Sequence, residues 1–91
     1  MLLFNDIVEG TRIETVGQFT VITVAQVPFS KLTMRLDDMD VENLLAVREG
    51  AVNPAHDIAE FFRDVYHCQE RAAMRAAEAF VATAAEIADA Q

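Results

Sequence analysis

From Asn53 to the last residue, Gln91, the chain contains no glycine, and its only proline is Pro54. Asn53 is a good N-cap and Pro54 suits the first helical position, so the sequence predicts a single long helix over about 54–89. Unbroken from Asn53 to the end, it would be roughly 55 Å long at about 1.5 Å per residue. A compact domain of this length has a radius of gyration of about 12 Å and is only some 30 to 35 Å across. Either the helix breaks without a glycine or proline to mark the place, or its far half overhangs and is offered to another molecule.

The chain of 91 residues is expected to form one domain, 1–91, with a strand-rich part over 1–36, a short helix over about 38–49 and the long helix. Apolar residues make up 53% and the mean hydropathy is +0.18, which argues against intrinsic disorder. No basic leader precedes the first carboxylate at Asp6, and no apolar run reaches the 18 or so residues of a membrane span, so a signal peptide and a membrane partner are not expected. Cys68 is the only cysteine, which rules out an intramolecular disulfide and fits a reducing, cytoplasmic setting.

Fifteen acids against seven Lys and Arg give a net charge of −8. Divided at residues 30 and 53, the three segments carry −2, −2 and −4, an excess spread along the chain. Direct binding to nucleic acid is not expected, because phosphate affinity rests on clustered basic side chains. A basic protein partner suits this charge better.

Residues 12–16 and 19–25 are rich in β-branched side chains, and Gly17-Gln18 between them suits a two-residue hairpin with glycine first. Thr20, Ile22 and Val24 would then share one face, and Phe19, Val21 and Thr23 the other. Residues 3–8 are a further candidate strand before a Glu9-Gly10 turn. After Pro28, Leu32, Met34 and Leu36 alternate with Lys31, Thr33 and Arg35, the period of a half-buried strand. The fold class expected is α+β: an antiparallel meander of three or four strands, then a short helix, then the long one. The short helix opens on Asp37, Asp38 and Asp40 and should end with Gly50 at its C′ position.

On the long helix, Ile58, Phe61, Phe62, Val65, Cys68, Ala72, Ala76, Phe80 and Ile87 fall on one broad side. Bulky up to Cys68 and mostly alanine after it, this side suggests a segment packed on the sheet followed by a seam where another helix can approach closely. Ala72, Ala76, Phe80 and Ile87 are the expected self-association contacts of a homodimer. A solvated, self-supporting alanine tail is the plainer alternative.

His56, Glu60, Asp64 and His67 occupy a narrow strip of the opposite side, which is how bundle metal sites are built. One helix rarely closes a coordination sphere and the strand half has no histidine, so a polar stripe with local pairs such as Glu60 with Arg63 and Arg75 with Glu78 is expected in place of a metal. No cofactor is implied. Ser30, the one serine, lacks nucleophile-elbow glycines, and adjacent His67 and Cys68 point about 100° apart on a helix, so no catalytic site is expected.

The function these features favour is a non-enzymatic, acidic protein-binding module. Its sharper form is a small inhibitor or decoy that covers the basic groove of a nucleic-acid-binding target, as phage-encoded anti-CRISPR proteins do; the analogy is one of size and charge, not of motif. The partner-binding carboxylates would be Asp37, Asp38, Asp40, Glu42, Asp57, Glu60 and Asp64, with neighbours at i, i+3 and i, i+4 about 6 Å apart, near phosphate spacing. The alternative is a structural homodimer or assembly subunit pairing through the long helix.

Overall fold

A computed structural model describes residues 3–8, 10–25 and 31–89, the first of these stretches by its backbone alone. Pro28, Phe29 and Ser30 therefore lie outside the described residues, as does Glu9. Four strands come first: β1 (Leu3–Val8), β2 (Thr11–Val16), β3 (Phe19–Ala25) and β4 (Lys31–Leu36). Four helices follow: α1 (Asp38–Gly50), α2 (Pro54–Tyr66), α3 (Glu70–Ala82) and α4 (Ala84–Asp89). The fold is α+β, with an antiparallel sheet whose strands lie side by side in chain order.

The β2–β3 hairpin is closed by Gly17-Gln18, with Val16 opposite Phe19. Only Gly17 of the two takes a positive φ, 62°, as a II′ turn needs and as an L side chain resists. Register then decides which side chains face inward. Thr11, Ile13 and Thr15 lie opposite Val24, Ile22 and Thr20, which lie opposite Leu32, Met34 and Leu36. Ile13, Ile22, Val24, Met34 and Leu36 are buried on this face, and the helices cover it. α1 packs over β3 and β4, α3 packs over β1, β2 and β3, and α2 packs against both helices.

The long helix of the sequence reading does not exist. α2 stops at Tyr66, and His67 takes a left-handed conformation with φ 53° while its N–H still donates to the Arg63 carbonyl at 2.9 Å. Cys68 and Gln69 separate it from α3, and Gln69 provides no side-chain cap. The reason is energetic. A left-handed residue costs about 1–2 kcal/mol, whereas burying Phe80 alone contributes about 1.5–3 kcal/mol. Folding α3 back against α2 and the sheet buries Phe80, Ile87 and six alanines besides, so burial wins over helix continuity. The described residues span 34 × 29 × 20 Å with a radius of gyration of 11.9 Å, so of the two alternatives the helix breaks and does not overhang.

A second break follows at Thr83, whose buried hydroxyl donates back to the Ala79 carbonyl at 2.9 Å. Gly50 departs from expectation in a smaller way: it is the last residue of α1, and the cap is Ala51 in an extended conformation. At the other helix start the sequence signals hold, since Asn53 Oδ1 accepts from the His56 N–H at 3.3 Å with Pro54 at the head of α2.

The strain at His67 is open to test. Its side chain is exposed, so His67→Gly should remove the left-handed penalty and, after the glycine's extra unfolded-state entropy, raise stability by about 0.5–1 kcal/mol in urea denaturation. A loss of stability would show that the imidazole makes a contribution of its own.

Candidate functional site

Ala72, Ala76, Phe80 and Ile87, the expected self-association seam, are the first site residues to be relocated. Their exposures are 5%, 0%, 0% and 1%. They belong to the same core cluster as Ile22, Met34 and Phe62, so within this fold they face the molecule's own sheet and helices. The alanines are small because α3 sits close to its neighbours inside one chain. The solvated-tail alternative fails on the same ground. Val65 also leaves the apolar side and is 50% exposed.

The seven carboxylates expected to bind a partner all reach the surface, with Asp40 half-buried and the rest exposed. They divide by what else they do. Asp37 caps α1, its Oδ1 accepting from the Asp40 N–H at 2.8 Å, and Asp40 Oδ2 accepts from the Asp37 N–H at 3.4 Å to complete a capping box. Asp57 lies 3.2 Å from His56 Nδ1, and Glu60 lies 3.8 Å from Arg63, which also reaches Glu70 at 3.9 Å. Among the described residues no ion pair engages Asp38, Glu42 or Asp64. Asp38 lies in the first turn of α1, where its charge complements the helix dipole, whereas Glu42 and Asp64 have no such role.

The polar strip of His56, Glu60, Asp64 and His67 is also rearranged. Donor atoms come within 4.8 Å of one another at His56, Asp57 and Glu60, all exposed. Asp64 and His67 are not in the group, and the break at His67 takes that residue out of the helical register. His56 and Asp57 already bond each other, and a fully solvated trio of this kind is ordinary on a helix start. Of the pairs anticipated, Glu60 with Arg63 forms, while Arg75 extends toward Gly10, where an added methyl group would meet its Nη1 at 3.8 Å.

Tyr66 ties the helical layer to the sheet. Its hydroxyl donates to the Arg35 carbonyl on edge strand β4 at 3.0 Å, and its ring lies 6.2 Å from that of Phe62. Burial, then the charges of Asp40 and Asp37, push the phenol above its usual range. The end of α2 therefore lies beside the start of α1. Asp38 is followed there by Met39, 70% exposed, and Asp64 by the half-exposed Val65. Exposed carboxylates and exposed apolar side chains thus follow one another in the chain at this end of the helical layer. That arrangement was not anticipated from the sequence, because Val65 falls there on the apolar side of the helix and Met39 is given no role.

Tyr66 offers a clean titration, since the chain has one tyrosine and no tryptophan. A folded pKa above the unfolded one means that the neutral phenol's contribution is whole below about pH 10 and is lost as pH rises through the folded pKa. The phenolate absorbance should therefore rise at a higher pH in buffer than in urea. Equal midpoints would mean that Tyr66 is not held against Arg35 and the α1 carboxylates.

Burial also raises the Cys68 thiol, which stays a poor nucleophile at neutral pH. No helix among the described residues is long and apolar enough to cross a membrane.

No family model, curated protein or solved structure matches this chain. The surface chemistry has to carry the functional reading alone.

Counted by strand half and helical half, the charge is uneven. Residues 1–36 hold three acids and three bases, a net of zero; residues 37–91 hold twelve acids and four bases, which is the whole −8. The boundary falls at the junction of sheet and helices, so the acidity belongs to the helical layer.

Proposed function

We propose that this protein is a non-enzymatic binding module that presents its acidic helical layer to a basic protein. The observation that carries the reading is that exposed carboxylates and exposed apolar side chains are consecutive in the chain, Asp38 with Met39 and Asp64 with Val65, where α1 begins and α2 ends. Arginine and lysine have aliphatic stems and charged heads, so a basic partner can lay stems on Met39 and Val65 while its cations meet the carboxylates. Glu42, four residues after Asp38 on α1, extends the acidic side of this contact. Asp57 and Glu60 continue it along α2. Asp37 and Asp40 serve the cap first and add charge second.

The biological form we favour is a small inhibitor or decoy, acting in the cytoplasm, that blocks a basic nucleic-acid-binding target in the manner of phage anti-CRISPR proteins. Size, acidity and the location of the charge support this form. The homodimer reading no longer has its seam, since those side chains are buried within one chain.

The test uses an arginine-rich peptide as the basic probe, with binding followed by calorimetry at low and high salt. Replacing Asp38, Glu42 and Asp64 by their amides should weaken binding about tenfold, as expected for three exposed charges. Met39→Ala with Val65→Ala should weaken it further without changing the salt slope. Affinity indifferent to salt and to the amide substitutions would remove the proposal. For the inhibitor form, the protein should release nucleic acid from a basic nucleic-acid-binding domain in a competition assay.

A further inference from the structure

The sheet face turned away from the helices has a character opposite to theirs. By register, Arg12 and Glu14 on β2, Phe19, Val21 and Thr23 on β3, and Lys31, Thr33 and Arg35 on β4 all point outward, and none of them is buried. Arg12, Lys31 and Arg35 are all the basic residues of the strand half. Glu14 is the one acid among the described side chains of this face, which together carry a net +2 in a protein of −8.

Strand spacing places these cations. Lys31 and Arg35 are four residues apart on one strand, about 13 Å, and Arg12 lies two strands over, about 12 Å from each. Thr23 and Thr33, paired with each other and in line with Arg12, fill the middle of the triangle. The Arg35 guanidinium stacks on Phe19, 4.4 Å from the ring centroid, which stiffens that head group and leaves its edge donors directed away from the ring. Among the described residues, none of the three cations forms an ion pair.

We infer that this open face is a docking surface for an acidic polypeptide segment in extended conformation, distinct from the helical surface that meets a basic partner. Two arguments select the occupant. Charge complementarity requires an anion, and carboxylates four residues apart in an extended segment fall at the same ~13 Å as Lys31 and Arg35. Area excludes a stable sheet-to-sheet dimer, because four strands by six residues give a face of ~400 Å² against about 800 Å² per partner in a standard interface. A single extended strand of about six residues matches the face in length. Thr23 and Thr33 supply hydroxyls between the carboxylate positions, and Val21 with Phe19 supplies apolar contact at one end.

The experiment titrates the intact protein with an eight-residue peptide of alternating glutamate and threonine, following backbone amide shifts by NMR. Shifts should concentrate on Arg12, Thr23, Thr33 and Arg35 and leave α1 and α2 unmoved. Arg12→Ser with Lys31→Ser should weaken binding about tenfold. Arg48→Ser with Arg71→Ser, exposed positions on the helices, changes the net charge equally and should leave affinity unchanged. Equal effects from the two pairs, shifts on the helices alone, or no binding would overturn the inference. So would preferential binding of a single-stranded oligonucleotide, or growth in mass with concentration that the Arg12/Lys31 pair abolishes, which would give the face to nucleic acid or to a second copy. The helical proposal stands or falls separately, because its probe and its variants lie on the other side of the molecule.

Discussion

Phe80→Ala should lower the unfolding free energy by about 3–5 kcal/mol, with the urea midpoint falling and its slope unchanged. Phe80 is fully buried, and it anchors α3 in the core that Phe62 fills from α2 and Ile22 and Met34 fill from the sheet. Truncation removes the transfer energy of a benzyl group and leaves a cavity among residues that cannot all relax. For a 91-residue domain, whose whole stability is on the order of 5–14 kcal/mol, a loss of that size is a large fraction. Phe80→Asp should not fold at all, since an isolated carboxylate in that position has neither water nor a partner. The competing view, in which Phe80 lies between two copies, predicts a fall in mass together with the loss of stability. Light scattering on Phe80→Ala before and during unfolding separates the two outcomes.

Ala76→Leu is the second large effect and has the opposite cause. Ala73, Ala76 and Ala77 have no exposed surface, and α3 packs against three strands and α2 at once. Extra carbons there must push the helix outward or force neighbouring side chains off their rotamers, at about 1–3 kcal/mol. The same change at Ala85 or Ala88, both exposed on α4, should stay within about 0.5 kcal/mol. Equal tolerance at buried and exposed positions would mean that the alanines of α3 do not face the core.

The strands were legible because period and turn chemistry agree. Leu32, Met34 and Leu36 alternate, Gly17-Gln18 permits a tight hairpin, and the outcome follows from local rules. The starts of α1 and α2 were legible for the same reason, through Asp37 and Asn53. The break at His67 was not. No residue there forbids helix, and what ends it is the burial available to α3 against strands some 50 to 60 residues earlier, a tertiary gain invisible to any local window. That one miss displaced the site reading too. Phe80 and its alanines went from surface to core, Val65 from core to surface, and the strip through His56 and His67 lost its register. The acidic residues were found by type, but their segregation from Arg12, Lys31 and Arg35 required knowing which face of a strand each side chain takes.

The placement of α3 and α4 has a consequence for how the protein is made. The sheet emerges before the helices during synthesis, yet the core that holds Ile13, Ile22 and Val24 also includes Phe80 of α3 and Ile87 of α4. Until those residues leave the ribosome, the apolar side of the meander has only α1 and α2 to cover it. Cooperative folding is therefore deferred until α3 and α4 have been made, and the nascent strands depend on speed, or on a chaperone, to avoid pairing with other chains.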